Sequence, residues 1–299
     1  MLFPTSGVEV NPLFPFLVAF CVSFFTSMGG VSGAFLLLPF QVSVLGYTAP
    51  SVSATNQVFN IVAIPSGVYR YIREGRMLWP LTSAVIVGTL PGVFIGAWIR
   101  IEYLPDPKDF KFFAGLVLLY IGWRLFIDVF KGKNMEKEKI PLTRSHSTQT
   151  VRVTMSTLRK VAFEFNSENF HFSPPIVYGL CFLVGIAGGI YGIGGGSIVA
   201  PFFVAIIGLP VYVVAGAALM GTFITSIAGV IFYHILAVFY PNVSVAPDWR
   251  LGVLFGVGGF LGMYLGARTQ KYVPSLFIKS ILCVCVLFVA GKYVFGFFF

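Results

Sequence analysis

Long apolar stretches separated by short polar segments dominate the chain. Two apolar blocks, residues 12–130 and 174–298, flank a polar segment, residues 131–173. Several runs within the blocks approach or exceed the roughly 20 apolar residues with which a helix crosses a hydrocarbon core of about 30 Å. The pattern predicts an all-α polytopic membrane protein with transmembrane domains at residues 1–130 and 174–299 and a linker at 131–173.

The two blocks repeat one another. Adding 162 to a residue number matches Gly30, Gly33, Pro39, Gly46 and Gly67 with Gly192, Gly195, Pro201, Gly208 and Gly229. Adding 170 matches Trp79, Gly88, Gly92 and Gly96 with Trp249, Gly258, Gly262 and Gly266. A single insertion near residues 240–246 accounts for the change in offset. Matches in one order with one gap indicate a duplicated unit.

Each unit begins with a segment that is too long and too rich in glycine for one spanning helix. Residues 12–46 would measure about 52 Å as a single helix, well beyond the core of about 30 Å. Glycines interrupt this run at residues 29–33 and interrupt the second unit's run, residues 175–208, at 188–196. We predict two short helices joined at a glycine elbow near mid-membrane, because each glycine weakens a helix by up to about 1 kcal/mol relative to alanine.

Three further spans are predicted in each unit. They cover residues 50–72, 79–101 and 110–130 in the first half, and 211–236, 250–271 and 276–296 in the second. Basic residues near 70–76 and in the linker place both regions in the cytoplasm. If each broken segment returns to its starting side, the halves are inverted repeats and the N-terminus lies outside. Eight simple spans with the N-terminus inside fit the basic residues almost equally well, but leave the overlong segments unexplained.

The linker contains two further patterns. Residues 151–155 alternate like a strand, while residues 155–165 also fit an amphipathic helix on the bilayer surface. We expect an ordered linker that packs on the cytoplasmic face.

Composition supports the membrane assignment. Hydrophobic residues make up 57% of the chain and charged residues 10%, against about a quarter charged in soluble domains. The formal net charge of +9 is explained by basic residues that collect in cytoplasmic loops, so no nucleic-acid partner is expected. The four cysteines lie in apolar runs and predict neither disulfides nor a metal site. Membrane lipid is an expected partner, no cofactor is expected, and the sequence is compatible with a homodimer.

The repeated motifs resemble the sulfite exporter TauE/SafE family of membrane permeases. The resemblance rests on the glycines before Pro39 and Pro201, on Ser66-Gly67 and Ala228-Gly229, and on the spans that open with Trp79 and Trp249. It covers both blocks but not the linker. It implies a permease of the cell membrane that moves sulfite, sulfonates or related small anions, usually outward.

The elbows are the first candidate site. The second half of a broken helix presents free N–H groups and the positive end of its dipole, which suit an anion. The candidates are Gly30, Val31, Ser32 and Gly33 in one half and Gly194, Gly195, Gly196 and Ser197 in the other. Close packing is the alternative role of glycine, and we favour it for the glycines spaced four apart at 88–96 and 258–266.

Polar side chains on the following helix are the second candidate set. Asn56 and Asn60 lie one turn apart, Gln57 is adjacent to Asn56, and Thr222, the repeat counterpart of Asn60, is followed by Thr225 and Ser226. We predict that Asn56 and Asn60 face a substrate cavity, with interhelical hydrogen bonding as the alternative. For Thr222 and Thr225 both interpretations stay open.

These features favour a secondary transporter of a small anion, with alternating access around a midplane site. A passive anion channel with the same fold is the alternative. No nucleophile–histidine–acid set, metal-ligand spacing or phosphate-binding loop indicates an enzyme or an ATP-driven pump. No carboxylate lies in the middle of a run, which leaves the coupling ion open.

Overall fold

The structure is a computed structural model, and it describes residues 1–28, 32–73, 75, 77–135, 151–157, 159–165, 168–269, 273 and 275–298. The helices of the first half are α1 (Leu13–Met28), α2 (Ala34–Ser43), α3 (Ser51–Ala63), α4 (Pro65–Arg73), α5 (Trp79–Glu102) and α6 (Pro107–Met135). Those of the second half are α7 (Pro174–Tyr191), α8 (Gly195–Phe202), α9 (Val211–Phe239), α10 (Trp249–Thr269) and α11 (Ser275–Phe298). A π-helical turn, Phe203–Ile207, extends α8.

Six of the described helices are long and apolar enough to cross a membrane, namely α5, α6, α7, α9, α10 and α11. Their outer faces expose large apolar side chains, including Leu183 at 65%, Val238 at 78% and Phe288 at 73%. Water would penalise such a surface, whereas lipid tails solvate it. The predicted all-α, multi-pass membrane protein is confirmed.

Both overlong segments are broken into two helices, as predicted. In the first, α1 and α2 form a hairpin, because the rings of Phe14 and Phe40 lie 5.6 Å apart between centroids, near the start of α1 and the end of α2. In the second, α7 ends at Tyr191 and α8 begins at Gly195. Gly192 and Gly194 between them have φ angles of 80° and 72°, a left-handed backbone that favours glycine.

The span predicted at residues 50–72 is instead two short helices, α3 and α4. Pro65 opens α4, because its ring lacks an N–H group and is tolerated in the first helical turn but not inside a helix. Helix α6 also differs from its predicted span at residues 110–130, since it continues to Met135.

The longest helix contacts join one helix from each half. Helix α5 packs along α7, and α1 packs along α10. Gly88 faces Cys181, Gly92 faces Phe182 and Gly96 faces Ile186, so residue numbers rise together and the two helices run parallel. Gly258, Gly262 and Gly266 face Phe16, Phe20 and Phe24 in the same manner. The packing role predicted for both glycine series is confirmed.

The linker carries a three-stranded antiparallel sheet formed by β3 (Arg152–Ser156), β4 (Val161–Phe165) and β5 (Glu168–Phe172), in that order. The strand predicted at residues 151–155 is confirmed. The alternative of an amphipathic helix over 155–165 is wrong, because Val161, Phe163 and Phe165 are buried at every second position of β4. The Val151 N–H donates to the Gly75 carbonyl at 3.1 Å, which ties the linker to the loop between α4 and α5.

A short N-terminal hairpin, β1 (Leu2–Phe3) and β2 (Val8–Glu9), was not predicted. The Ser6 hydroxyl donates to Asp248 at 2.8 Å, and Ser244 contacts both the Thr5 carbonyl and the Ser51 hydroxyl. Tyr240 donates to Glu102 at the last residue of α5. The N-terminal hairpin and the linker sheet therefore lie at opposite ends of α5.

We expect Gly92→Ala to destabilise the protein by about 1–3 kcal/mol, because the added Cβ would overlap the main chain of α7. The matched control is Gly179→Ala, since a Cβ at Gly179 on α7 meets nothing within 4 Å and favours the helix by up to about 1 kcal/mol. Thermal melting in detergent measures both. Equal melting temperatures for the two variants would contradict the packing account.

Candidate functional site

Buried polar side chains line the face of α3 that meets the second half of the chain. Ser53, Asn56 and Asn60 have no exposed surface. Burying an uncharged polar group inside a membrane protein costs free energy unless the group finds a hydrogen-bonding partner. Their partners show which segments meet at this position.

The Asn56 side chain joins the two halves. Its Nδ2 donates to the Ala34 carbonyl at 3.1 Å, at the start of α2, and to the Gly192 carbonyl at 3.1 Å, at the second elbow. Its Oδ1 accepts from Gln41 Nε2 at 3.2 Å. Both amide hydrogens are therefore used inside the protein.

Asn60 joins the same two elbows one turn further along α3. Its Nδ2 donates to the Ile193 carbonyl at 3.1 Å and to Ser226 Oγ at 3.3 Å. Its Oδ1 accepts from Ser32 Oγ at 3.3 Å, and Ser32 Oγ in turn accepts from the Ala34 N–H at 3.3 Å. We call Asn56, Asn60, Ser32 and Ser226 the polar layer. Helix α3 of the first half is thus hydrogen-bonded to the broken segments of both halves.

The second elbow fits closely around α3 and α9. A Cβ at Gly192 would lie 2.5 Å from Ser53 Cα, and one at Gly194 would lie 3.0 Å from Thr222 Cγ2. Side chains would therefore push this elbow away from the polar layer. Directly beyond it, α8 begins at Gly195, so the positive end of its dipole points toward the same region.

The structure brings most of the predicted site residues together around this layer. Gly33 lies beside α1, where a Cβ would be 3.0 Å from Ser23 Oγ. Gly195 packs on Thr89 and Gly196 on Ala218. Thr222 and Thr225 are buried and donate to carbonyls of their own helix, those of Ala218 and Gly221, at 2.8 and 2.7 Å. Gly30, Val31 and the side chain of Ser197 lie outside the described residues.

The polar layer is closed in this conformation. Asn56, Asn60, Thr222, Thr225 and Ser226 each have no exposed surface. The asparagines make the interhelical hydrogen bonds that the alternative interpretation foresaw, and their contact with a substrate stays a prediction. An anion could reach these donors only if the helices separated.

Arg100 is a buried charge that sequence reasoning missed. Its guanidinium donates to the carbonyls of Leu104 and Thr48, the latter at 2.9 Å, and lies 3.8 Å from the centroid of the Phe110 ring. Arg100 lies in the last turn of α5. A cation in the last turn of a helix complements the negative end of the helix dipole, and this position near the end of a predicted span was the sequence signal that could have drawn attention to Arg100.

Comparisons with known proteins identify one family. The family model described as sulfite exporter TauE/SafE matches residues 15–293. No curated protein matches the chain, and no solved structure does. The match extends over both blocks of helices and the linker between them.

Replacing Asn60 should weaken the fold. In Asn60→Leu the Ile193 carbonyl and the hydroxyls of Ser32 and Ser226 lose a buried partner, and we expect a loss of about 1–3 kcal/mol. The control is Thr225→Val, whose hydroxyl donates to carbonyls of its own helix and whose loss should stay within about 0.5 kcal/mol. Thermal melting in detergent compares the two. An Asn60→Leu protein as stable as Thr225→Val would show that the amide does not hold the elbows.

Proposed function

This chain belongs to the sulfite exporter TauE/SafE family, and we propose that it moves sulfite or a small organosulfonate across the cell membrane by alternating access around the polar layer. Membership in a family of transporters supports a role in membrane transport rather than in catalysis. The identity of the anion, the outward direction and the alternating mechanism are parts of the proposal.

The observation that carries the mechanism is the meeting of both elbows at Asn60. Its amide contacts Ser32 on one elbow and Ile193 on the other. Helices α2 and α8 begin directly after these elbows. Two helix N-termini and a set of amide and hydroxyl donors therefore surround one small region. Sulfite and sulfonate oxygens accept hydrogen bonds and carry negative charge, so this set of groups suits them.

We propose that the substrate ligands are Ser32, Gly33, Asn56, Asn60, Gly194, Gly195, Gly196, Ser197, Thr222 and Thr225, together with Gly30 and Val31 of the first elbow. In the closed conformation the asparagine donors hold carbonyl oxygens. When one side of the layer opens, the same donors become available to the oxygens of an anion. Exchange of one set of acceptors for another keeps the cost of opening low.

The helix pairing supports inverted halves. Helix α1 runs parallel to α10 and α7 runs parallel to α5, and each pair becomes the other under the offsets of 162 and 170 residues. Helix α1 begins at the end of the molecule that carries the N-terminal hairpin, whereas α7 begins directly after the linker sheet. The broken segments thus enter from opposite ends, which is the arrangement that rocking transporters use.

The orientation in the membrane is proposed from charge. Arg70 and Arg73 lie at the end of the molecule that carries the linker, and eight further basic residues belong to residues 131–173. Basic loops stay in the cytoplasm, so the N-terminal hairpin faces outside. The outward direction of transport rests on the family description alone.

A passive channel is the second candidate. It requires a continuous path through the layer in some conformation, and the closed layer described here fits a closed channel as well as a carrier. Counterflow separates the two mechanisms, because only a carrier lets an anion on one side accelerate the movement of a labelled anion from the other.

We expect saturable uptake of radiolabelled sulfite or methanesulfonate into proteoliposomes, accelerated by unlabelled anion inside. Gly195→Leu should abolish uptake, because the larger side chain would displace Thr89 and the start of α8. Gly179→Leu is the control with normal flux, since Gly179 is exposed on α7 with open space at its Cβ position. Imposed pH and sodium gradients reveal the coupling ion.

Two results would contradict the proposal. Flux that grows linearly with concentration and shows no counterflow would indicate a channel. An absence of flux for both anions under every gradient would remove sulfur oxyanions as substrates.

A further inference from the structure

Gln57 of α3 is buried without hydrogen-bonding partners. Its side chain has no exposed surface, and within the described part of the chain neither Oε1 nor Nε2 has a partner. A primary amide desolvated in this way is costly, and more so in a membrane. Asn56 and Asn60 on the same helix have hydrogen-bonded amides, so of these three amides of α3 only that of Gln57 lacks partners on both atoms.

The neighbouring helix leaves room for this side chain. Gly229 of α9 faces Gln57, and a Cβ at Gly229 would lie 2.7 Å from Gln57 Nε2. The amide therefore occupies the space that any larger residue at position 229 would need. The Gln57 amide thus packs directly against Gly229 in the contact between α3 and α9.

The repeat shows that packing does not require an amide here. Adding 162 converts Gln57 into Leu219, and subtracting 162 converts Gly229 into Gly67. Leu219 indeed faces Gly67, with its Cδ1 3.3 Å from the Cβ position of that glycine. The same helix contact is thus filled by leucine in one half and by glutamine in the other.

Gln57 and Leu219 lie on opposite sides of the Asn60–Ser226 contact of the polar layer. Gln57 stands between Asn60 and Ser51, and Ser51 bonds to Ser244 at the N-terminal-hairpin end. Helix α9 runs antiparallel to α3, since Asn60 bonds to Ser226 while Gln57 faces Gly229. Leu219 therefore lies on the linker side. An anion that leaves the layer toward the N-terminal hairpin would pass the Gln57 amide. An anion that leaves toward the linker would pass the Leu219 side chain.

We propose that Gln57 is a substrate-contacting residue that donates from Nε2 to an oxygen of the transported sulfur oxyanion on the N-terminal-hairpin side of the Asn60–Ser226 contact. The inference rests on the proposed function and deepens it. Separation of α3 from α9 frees the amide, and the anion supplies the acceptor that the closed conformation lacks. Because Leu219 offers no donor, the two routes out of the layer bind the anion unequally.

The test replaces Gln57 by the residue of its repeat counterpart. Gln57→Leu and Gln57→Met remove the amide and keep a side chain of similar size. We expect both variants to melt at or above the wild-type temperature, because an unpaired buried amide is lost. We expect the half-saturating sulfite concentration for uptake into proteoliposomes to rise about tenfold, as for one hydrogen bond to an anion. Leu219→Met is the control, with uptake within about twofold of wild type.

The outcomes separate the two proposals. Uptake by wild type together with unchanged half-saturation in both Gln57 variants would overturn the role of Gln57 and leave the transport function standing. A lowered melting temperature in both variants would assign Gln57 a structural role and also overturn the inference. No uptake of sulfite or methanesulfonate by wild type would overturn the proposed function, and the inference with it.

Discussion

The hydrogen bonds of Asn56 and Asn60 are the interaction on which the centre of this membrane protein depends. Each amide belongs to α3, whose residues are almost all buried by other helices, and contacts both broken segments, through Ala34 and Gly192 in one case and through Ser32 and Ile193 in the other. Elbow carbonyls at membrane depth need donors, and buried amides need acceptors. The two requirements meet at the same positions, so neither elbow can move away from α3 without leaving its own polar groups and an asparagine amide unpaired.

Close glycine contacts set the frame around this centre. Helices α5 and α10 each pack against a broken segment of the opposite half through glycines spaced four residues apart. Lipid offers little hydrophobic force for helix association, so main chains gain by close approach instead. Because each such pair combines both halves, a motion of one half would be transmitted to the elbow of the other, as the proposed alternating access requires. This packing is the physical basis for the proposed alternating access around the polar layer.

The elbows could be predicted from the sequence because length and glycine content both forbid a single helix at residues 12–46 and 175–208. The split between α3 and α4 was missed although Pro65 signals it, since the apolar run continues across the proline. The bonds from Asn56 to Gly192 and from Asn60 to Ile193 join residues more than a hundred positions apart. The periodicity of polar residues shows which of them share a face of a helix, but not which distant residues that face contacts. Arg100 was missed because its burial depends on Phe110 and Leu104, which come after the predicted end of the span.

Thiol labelling at the repeat-related positions 53 and 215, on opposite sides of the polar layer, tests the central claim most directly. Single cysteines, Ser53→Cys or Ala215→Cys, are placed in a protein whose four native cysteines are replaced, and an impermeant maleimide is added to one side of oriented proteoliposomes. The account predicts that residue 53 reacts only from the N-terminal-hairpin side and residue 215 only from the linker side, with sulfite shifting the two rates in opposite directions. Labelling of either position from both sides, or labelling rates that sulfite does not change, would contradict alternating access at this layer.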